Sequence, residues 1–105
     1  MSDNRPISEE YRIVAKKWVD ADSAANMLEE SKSAFLSQLM VEHGDIAVSK
    51  AELLVKGSAQ WREYIEKMVT ARKEANLLKV QLKYIEMKYH EWQSYNATRR
   101  AEMKL

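Results

Sequence analysis

Apolar or small residues recur at Val14, Trp18, Ala21, Ala25, Leu28, Ser31, Phe35 and Leu39, in steps of four and three that keep them on one face of a helix. A second series runs through Leu54, Trp61, Ile65, Met68, Ala71, Ala75, Leu78, Leu82, Ile85, Tyr89 and Trp92. Two consecutive steps of three, Ile65 to Met68 to Ala71, slip the strict heptad phase there. The pattern therefore predicts two packed helices more firmly than any particular supercoil.

Local signals set the boundaries. Residues 1–7 read as a flexible arm ending at Pro6-Ile7, after which Ser8 is placed to cap a helix and Glu9 and Glu10 complement its dipole. That helix spans about 8–43 and stops at Gly44, which tolerates the left-handed conformation. After a turn at 44–49, Ser49-Lys50-Ala51-Glu52 forms a capping box, with Val48 stapled onto Leu53. It opens a second helix over about 50–103. Residues 1–105 thus form a single helical-hairpin domain.

So short a connection predicts an antiparallel pair, with facing residues whose numbers sum to about 92 or 93. This register sets Phe35 against Gly57 and Ser58, Trp61 against Ser31, and Trp18 against Ala75, each bulky ring meeting a small residue. Gly57 then has a packing role, with a kink as the other reading. Helix 2, of roughly 54 residues, overhangs helix 1, of roughly 35, by close to 30 Å. The overhang carries Tyr89, Trp92 and Tyr95. A second apolar stripe, Leu77, Val80, Tyr84 and Met87, is displaced around the same helix, and one partner helix cannot cover both faces.

Composition narrows the class. Hydrophobic residues make up 46% of the chain and charged residues 31%, with 2 glycines and 1 proline, a balance that favours long helices over sheets or disorder. A core drawn from 105 residues is small, which makes association with further copies the expected source of stability. Lacking cysteine, the chain has no disulfide, thiolate metal site or cysteine nucleophile. No leader-like or bilayer-length apolar run is present, so the expected location is cytoplasmic, without membrane contact.

No motif points to catalysis, and no cofactor or metal site is expected. His43 and His90 are far apart in the hairpin, Glu86 and His90 share a face without further inward carboxylates, and Asp20, Asp22, Glu29 and Glu30 are placed on solvent faces. Charge is uneven, however. Residues 1–44 hold 5 basic and 8 acidic side chains, whereas residues 72–105 hold 8 and 4. In that basic third, Lys79, Lys83, Lys88, Arg99 and Arg100 lie among Tyr84, Tyr89, Trp92 and Tyr95, the ingredients of single-strand nucleic-acid binding. Glu86 and Glu91 interrupt the patch, and interface packing explains the same aromatics.

Residues 76–105, NLLKVQLKYIEMKYHEWQSYNATRRAEMKL, resemble a group of small phage and prophage proteins whose C-terminal halves share an NLLKV opening, a YIEMKY-like middle and a W-Q-S…AT-R-AE ending. Leu77, Leu78, Trp92, Arg99 and Glu102 match that pattern. The resemblance implies a phage-encoded, mostly helical protein, in some genomes near genes for recombination or single-strand annealing, with no catalytic residues to carry over.

The expectation is thus an all-α, antiparallel two-helix hairpin with an overhanging second helix, self-associating into a helical bundle. It is expected to be a non-enzymatic interaction or assembly protein whose partner is itself, or another phage or host protein. Leu77, Val80, Tyr84, Met87, Tyr89, Trp92 and Tyr95 are its expected oligomer interface. The alternative is an accessory factor of phage DNA recombination or replication that binds single-stranded nucleic acid through the basic aromatic segment.

Overall fold

The computed structural model describes residues 5–103, which form three α-helices: α1, Ile7–Val41; α2, Val48–Lys56; and α3, Ala59–Met103. The described residues contain no strand. They build an elongated body of 84 × 24 × 18 Å, in which no helix is long and apolar enough to cross a membrane.

The start of α1 differs in detail from the expected one. Pro6, not Ser8, occupies the cap position, and its carbonyl accepts the Glu9 and Glu10 amides at 3.0 and 3.1 Å. A proline with extended ψ can do this because it needs no amide partner of its own. Glu9 and Glu10 lie in the first turn as expected. Of the expected arm, residues 1–4 lie outside the described residues and Ile7 already belongs to the helix. At the other end, Gly44 has φ +76°, the left-handed conformation its position required.

The capping box at Ser49 does not form. Helix α2 starts at Val48, with the Ala51 amide donating to the Ala47 carbonyl at 3.0 Å, so Ser49 sits inside the first turn. Glu52 instead pairs with Lys56 at 2.7 Å. Val48 and Leu53 are both exposed, so the staple is absent as well. Leu54, expected to face inward, is exposed, and Ala51 and Val55 take that role.

The main correction is at Gly57-Ser58, where the expected second helix divides. Gly57 terminates α2 in a right-handed conformation, its amide donating to the Leu53 carbonyl at 3.2 Å. The Ser58 hydroxyl then accepts the Trp61 amide at 3.2 Å and donates to the Val55 carbonyl at 2.6 Å, stitching the two helices together. This is N-cap chemistry at the third helical amide. A Cβ at Gly57 would meet only the Leu53 and Leu54 carbonyl oxygens, at 3.5 and 3.8 Å. No bulky ring rests on Gly57, so its expected packing role is replaced by a break in the helix.

With α2 folded off as a separate segment, α3 starts near the end of α1, and the two run antiparallel. Phe35 meets Trp61 and Tyr64, the Tyr64 hydroxyl reaches the Leu28 carbonyl, and the Tyr11 hydroxyl donates to Glu86 at 3.2 Å. The contacts of Phe35 and Tyr11 lie about one helical turn beyond the expected register, whereas Tyr64 reaches back to Leu28, its expected level. Phe35 therefore stacks on Trp61 and Tyr64 and does not rest on Gly57, and Trp18 packs against the cluster of Val14, Leu82 and Ile85. The same shift shortens the overhang. Residues 93–103 pass beyond the start of α1, roughly 16 Å at ~1.5 Å per residue, about half the expected length.

The core lies in two separate clusters. One, near the turns, joins Leu39, Val55 and Trp61 with Phe35, Leu36, Met40 and Ile65. The other, near the start of α1, joins Val14, Leu82 and Ile85 with Ile7, Ala15, Trp18 and Leu78. Between them Ala25 and Ala75 are fully buried, as helices in close approach require.

Substitutions at the break separate its two residues. Ser58→Ala should cost about 1 kcal/mol in chemical denaturation, by removing the cap of α3. Gly57→Ala, free of steric conflict at φ −88°, should be neutral or stabilising by up to about 1 kcal/mol. A large loss from Gly57→Ala would show that a close packing contact does exist there.

Candidate functional site

Helix α3 presents two different surfaces along one length, and α1 decides which is which. The covered side is held by Arg72. Its guanidinium donates to Asp22 at 2.7 Å, to Asn26 at 2.6 Å and to both Glu29 oxygens at 2.8 and 2.9 Å. The three acceptors lie on successive turns of one edge of α1, so a single planar fork spans about two helical turns. Asp22 and Glu29 were expected to be merely solvated; they instead carry the polar contact between α1 and α3. The steps of four and three from Asp22 to Asn26 to Glu29, beside the Ala21-Ala25-Leu28 stripe, were the available sequence signal.

Electrostatics follow that geometry. The hydrogen bond from Arg72 holds the Glu29 carboxyl below its ordinary value, and Glu29 and Asp22 together raise the guanidinium's affinity for its proton. At the far end, hydrogen bonding to Glu86 raises the Tyr11 phenol. Lys88 adds a bridge to Glu10 at 3.5 Å and lies 5.7 Å from the Tyr84 ring centroid.

On the side of α3 turned away from α1, Leu77, Val80, Tyr84 and Met87 form an apolar stripe. They are 59%, 66%, 61% and 53% exposed. By helical phase Tyr95 continues the same side, whereas Tyr89 and Trp92 follow the inward stripe to the level of the start of α1, where its cover thins out. The seven expected interface residues thus fall into two patches. Tyr89 and Trp92 stack with centroids 6.2 Å apart and line an open groove of about 770 Å³ with Arg5, Pro6, Ile7, Ser8, Tyr11, Ile85, Glu86 and His90. Tyr89 also accepts a hydrogen bond from Gln93 at 3.0 Å and lies 5.9 Å from the His90 ring.

The five candidate nucleic-acid contacts do not share a face. At about 100° per residue, Lys79 and Lys83 fall near one another, Lys88 and Arg99 on roughly the opposite side, and Arg100 elsewhere. Lys83 is also 3.8 Å from Glu86. Among the described residues no cluster of three or more His, Asp or Glu side chains is arranged to hold a metal ion.

With that geometry in place, comparison adds no relative: no protein-family model, curated protein or solved structure matches the chain.

The Arg72 clamp makes a pH dependence. A carboxyl held below its ordinary value in the fold contributes stability that is intact above about pH 4.3 and lost as pH falls through the lower folded value. Thermal melts between pH 6 and pH 2 should therefore fall less steeply for Glu29→Gln than for the wild type, from a lower starting point. Parallel slopes would show that Arg72 does not bind Glu29 in solution.

Proposed function

We propose that this chain is a non-enzymatic assembly protein that works as a homo-oligomer, its protomer a hairpin of α1 and α3 closed by α2. The single observation that carries this reading is the stripe Leu77, Val80, Tyr84 and Met87, more than half exposed on the side of α3 that α1 does not reach. Covering a side chain of this kind is worth roughly 1.5–3 kcal/mol, so four in a row strongly reward a partner surface. Clamp, capped break and stacked rings all rigidify α3, which suits a helix that presents a docking face. On this reading the chain is phage-encoded, in keeping with the resemblance of residues 76–105 to phage and prophage proteins, and assembles in the host cytoplasm.

Single-strand binding draws less support. A phosphate-tracking surface needs its cations on one side, and here they wrap around the helix, with Lys83 and Lys88 engaged by Glu86 and Glu10. Fluorescence anisotropy with a labelled single-stranded oligonucleotide should accordingly show no micromolar binding that weakens steeply with salt. Such binding would reverse the preference.

Sedimentation velocity at micromolar concentration should give at least twice the 12.3 kDa chain mass. A Val80→Lys, Tyr84→Lys double variant should sediment as a monomer of unchanged helix content, since neither residue contributes to the protomer core. A monomeric wild type would remove the assembly reading.

A further inference from the structure

The outer face of α3 has a pattern that says how its partner lies. Positions spaced three and four apart run outward from a point level with residue 82, and the two directions are chemically matched. Val80 mirrors Tyr84, Leu77 mirrors Met87, Lys73 mirrors Glu91, and Thr70 mirrors Ser94. Large apolar residues are innermost, opposite charges come next, and hydroxyls follow.

We infer that the outer face of α3 is covered by the same face of a second copy, antiparallel, about a two-fold axis crossing α3 level with residue 82. This inference rests on the self-association proposed above and fixes its geometry. A two-fold interface must be self-complementary, each residue meeting the mirror position of its partner. In this register Leu77 packs on Met87, Val80 on Tyr84, and Lys73 meets Glu91 twice. Neither Lys73 nor Glu91 has an ion-pair partner within the described residues.

Other arrangements fail on charge. A parallel pair sets Lys73 on Lys73 and Glu91 on Glu91. Sliding the antiparallel pair by one heptad presses Glu91 onto Val80 in one direction, or onto Glu66 in the other. Like charges and a buried lone carboxylate both oppose pairing. Lys83 does approach its own copy beside the axis, where Glu86, 3.8 Å away, offsets the repulsion.

The axis also lies close to the midpoint of Ala59–Met103, so the two α3 helices overlap over nearly their whole length. Residues 93–103, which α1 leaves uncovered, then run beside residues 61–71 of the second copy. Because α1 occupies the opposite side of α3, it stays clear of the contact.

Cysteine cross-linking tests the register directly, since the chain has no thiol of its own. Full-length Leu77→Cys and Met87→Cys proteins, mixed and oxidised, should form a disulfide-linked dimer, whereas each alone should not. In the antiparallel register a residue at 77 lies roughly 15 Å from its own copy, beyond disulfide reach. Charge reversal gives an independent reading in uncross-linked protein. Lys73→Glu or Glu91→Lys should weaken the dimer about tenfold, and combining them should restore it.

Efficient cross-linking of either cysteine variant alone would overturn the antiparallel arrangement while leaving self-association standing. A dimer that neither cross-links in the mixture nor responds to charge reversal would overturn the register. A wild-type monomer would overturn both this inference and the reading on which it rests.

Discussion

Arg72 sets the terms for the whole molecule. Apolar stripes alone leave two long helices free to slide, because a shift of one turn brings similar side chains into similar places. A guanidinium bound to Asp22, Asn26 and Glu29 does not slide: one turn in either direction separates it from part of its acceptor set. Fully buried Ala25 and Ala75 allow α1 and α3 to approach closely enough for the fork to reach. The pairings at both ends, Phe35 with Tyr64 and Tyr11 with Glu86, agree with the register fixed in the middle.

Much of the inward face was legible because helical periodicity is a property of consecutive residues. Val14, Ala25 and Leu39 on α1, and Trp61, Ala75, Leu82 and Ile85 on α3, are buried as their spacing indicated. What spacing cannot supply is where the second series stops being one helix. Gly57-Ser58 carried the signal, a helix-terminating glycine beside an N-cap serine, yet the apolar stripe continues across it and favoured an unbroken reading. From that one break follow the shifted register, the shortened overhang and the stacking of Phe35 with Trp61 and Tyr64 in place of its expected contact with Gly57.

The candidate surface was legible in part for the same reason. Leu77, Val80, Tyr84 and Met87 are out of phase with the inward stripe, and any helix packed on that stripe leaves them outside. Tyr89 and Trp92 are in phase with it, and their exposure depends on where α1 begins, a tertiary fact. Asp22 and Glu29 were misplaced because an acidic residue next to an apolar stripe reads equally as solvated or as bridging. Only the register decides whether an arginine arrives opposite.

The separation of the core into two clusters bears on how the chain finds its fold. Joining Leu39 to Trp61 closes a short loop, whereas joining Val14 to Ile85 closes one about three times longer, at an added entropic cost of roughly 1 kcal/mol. The aromatic end near the turns is thus the cheaper place to nucleate, and α1 and α3 zip away from it toward Ile7. Arg72 lies on that route, where its three acceptors reject a misregistered zipper before the second cluster can close over the error.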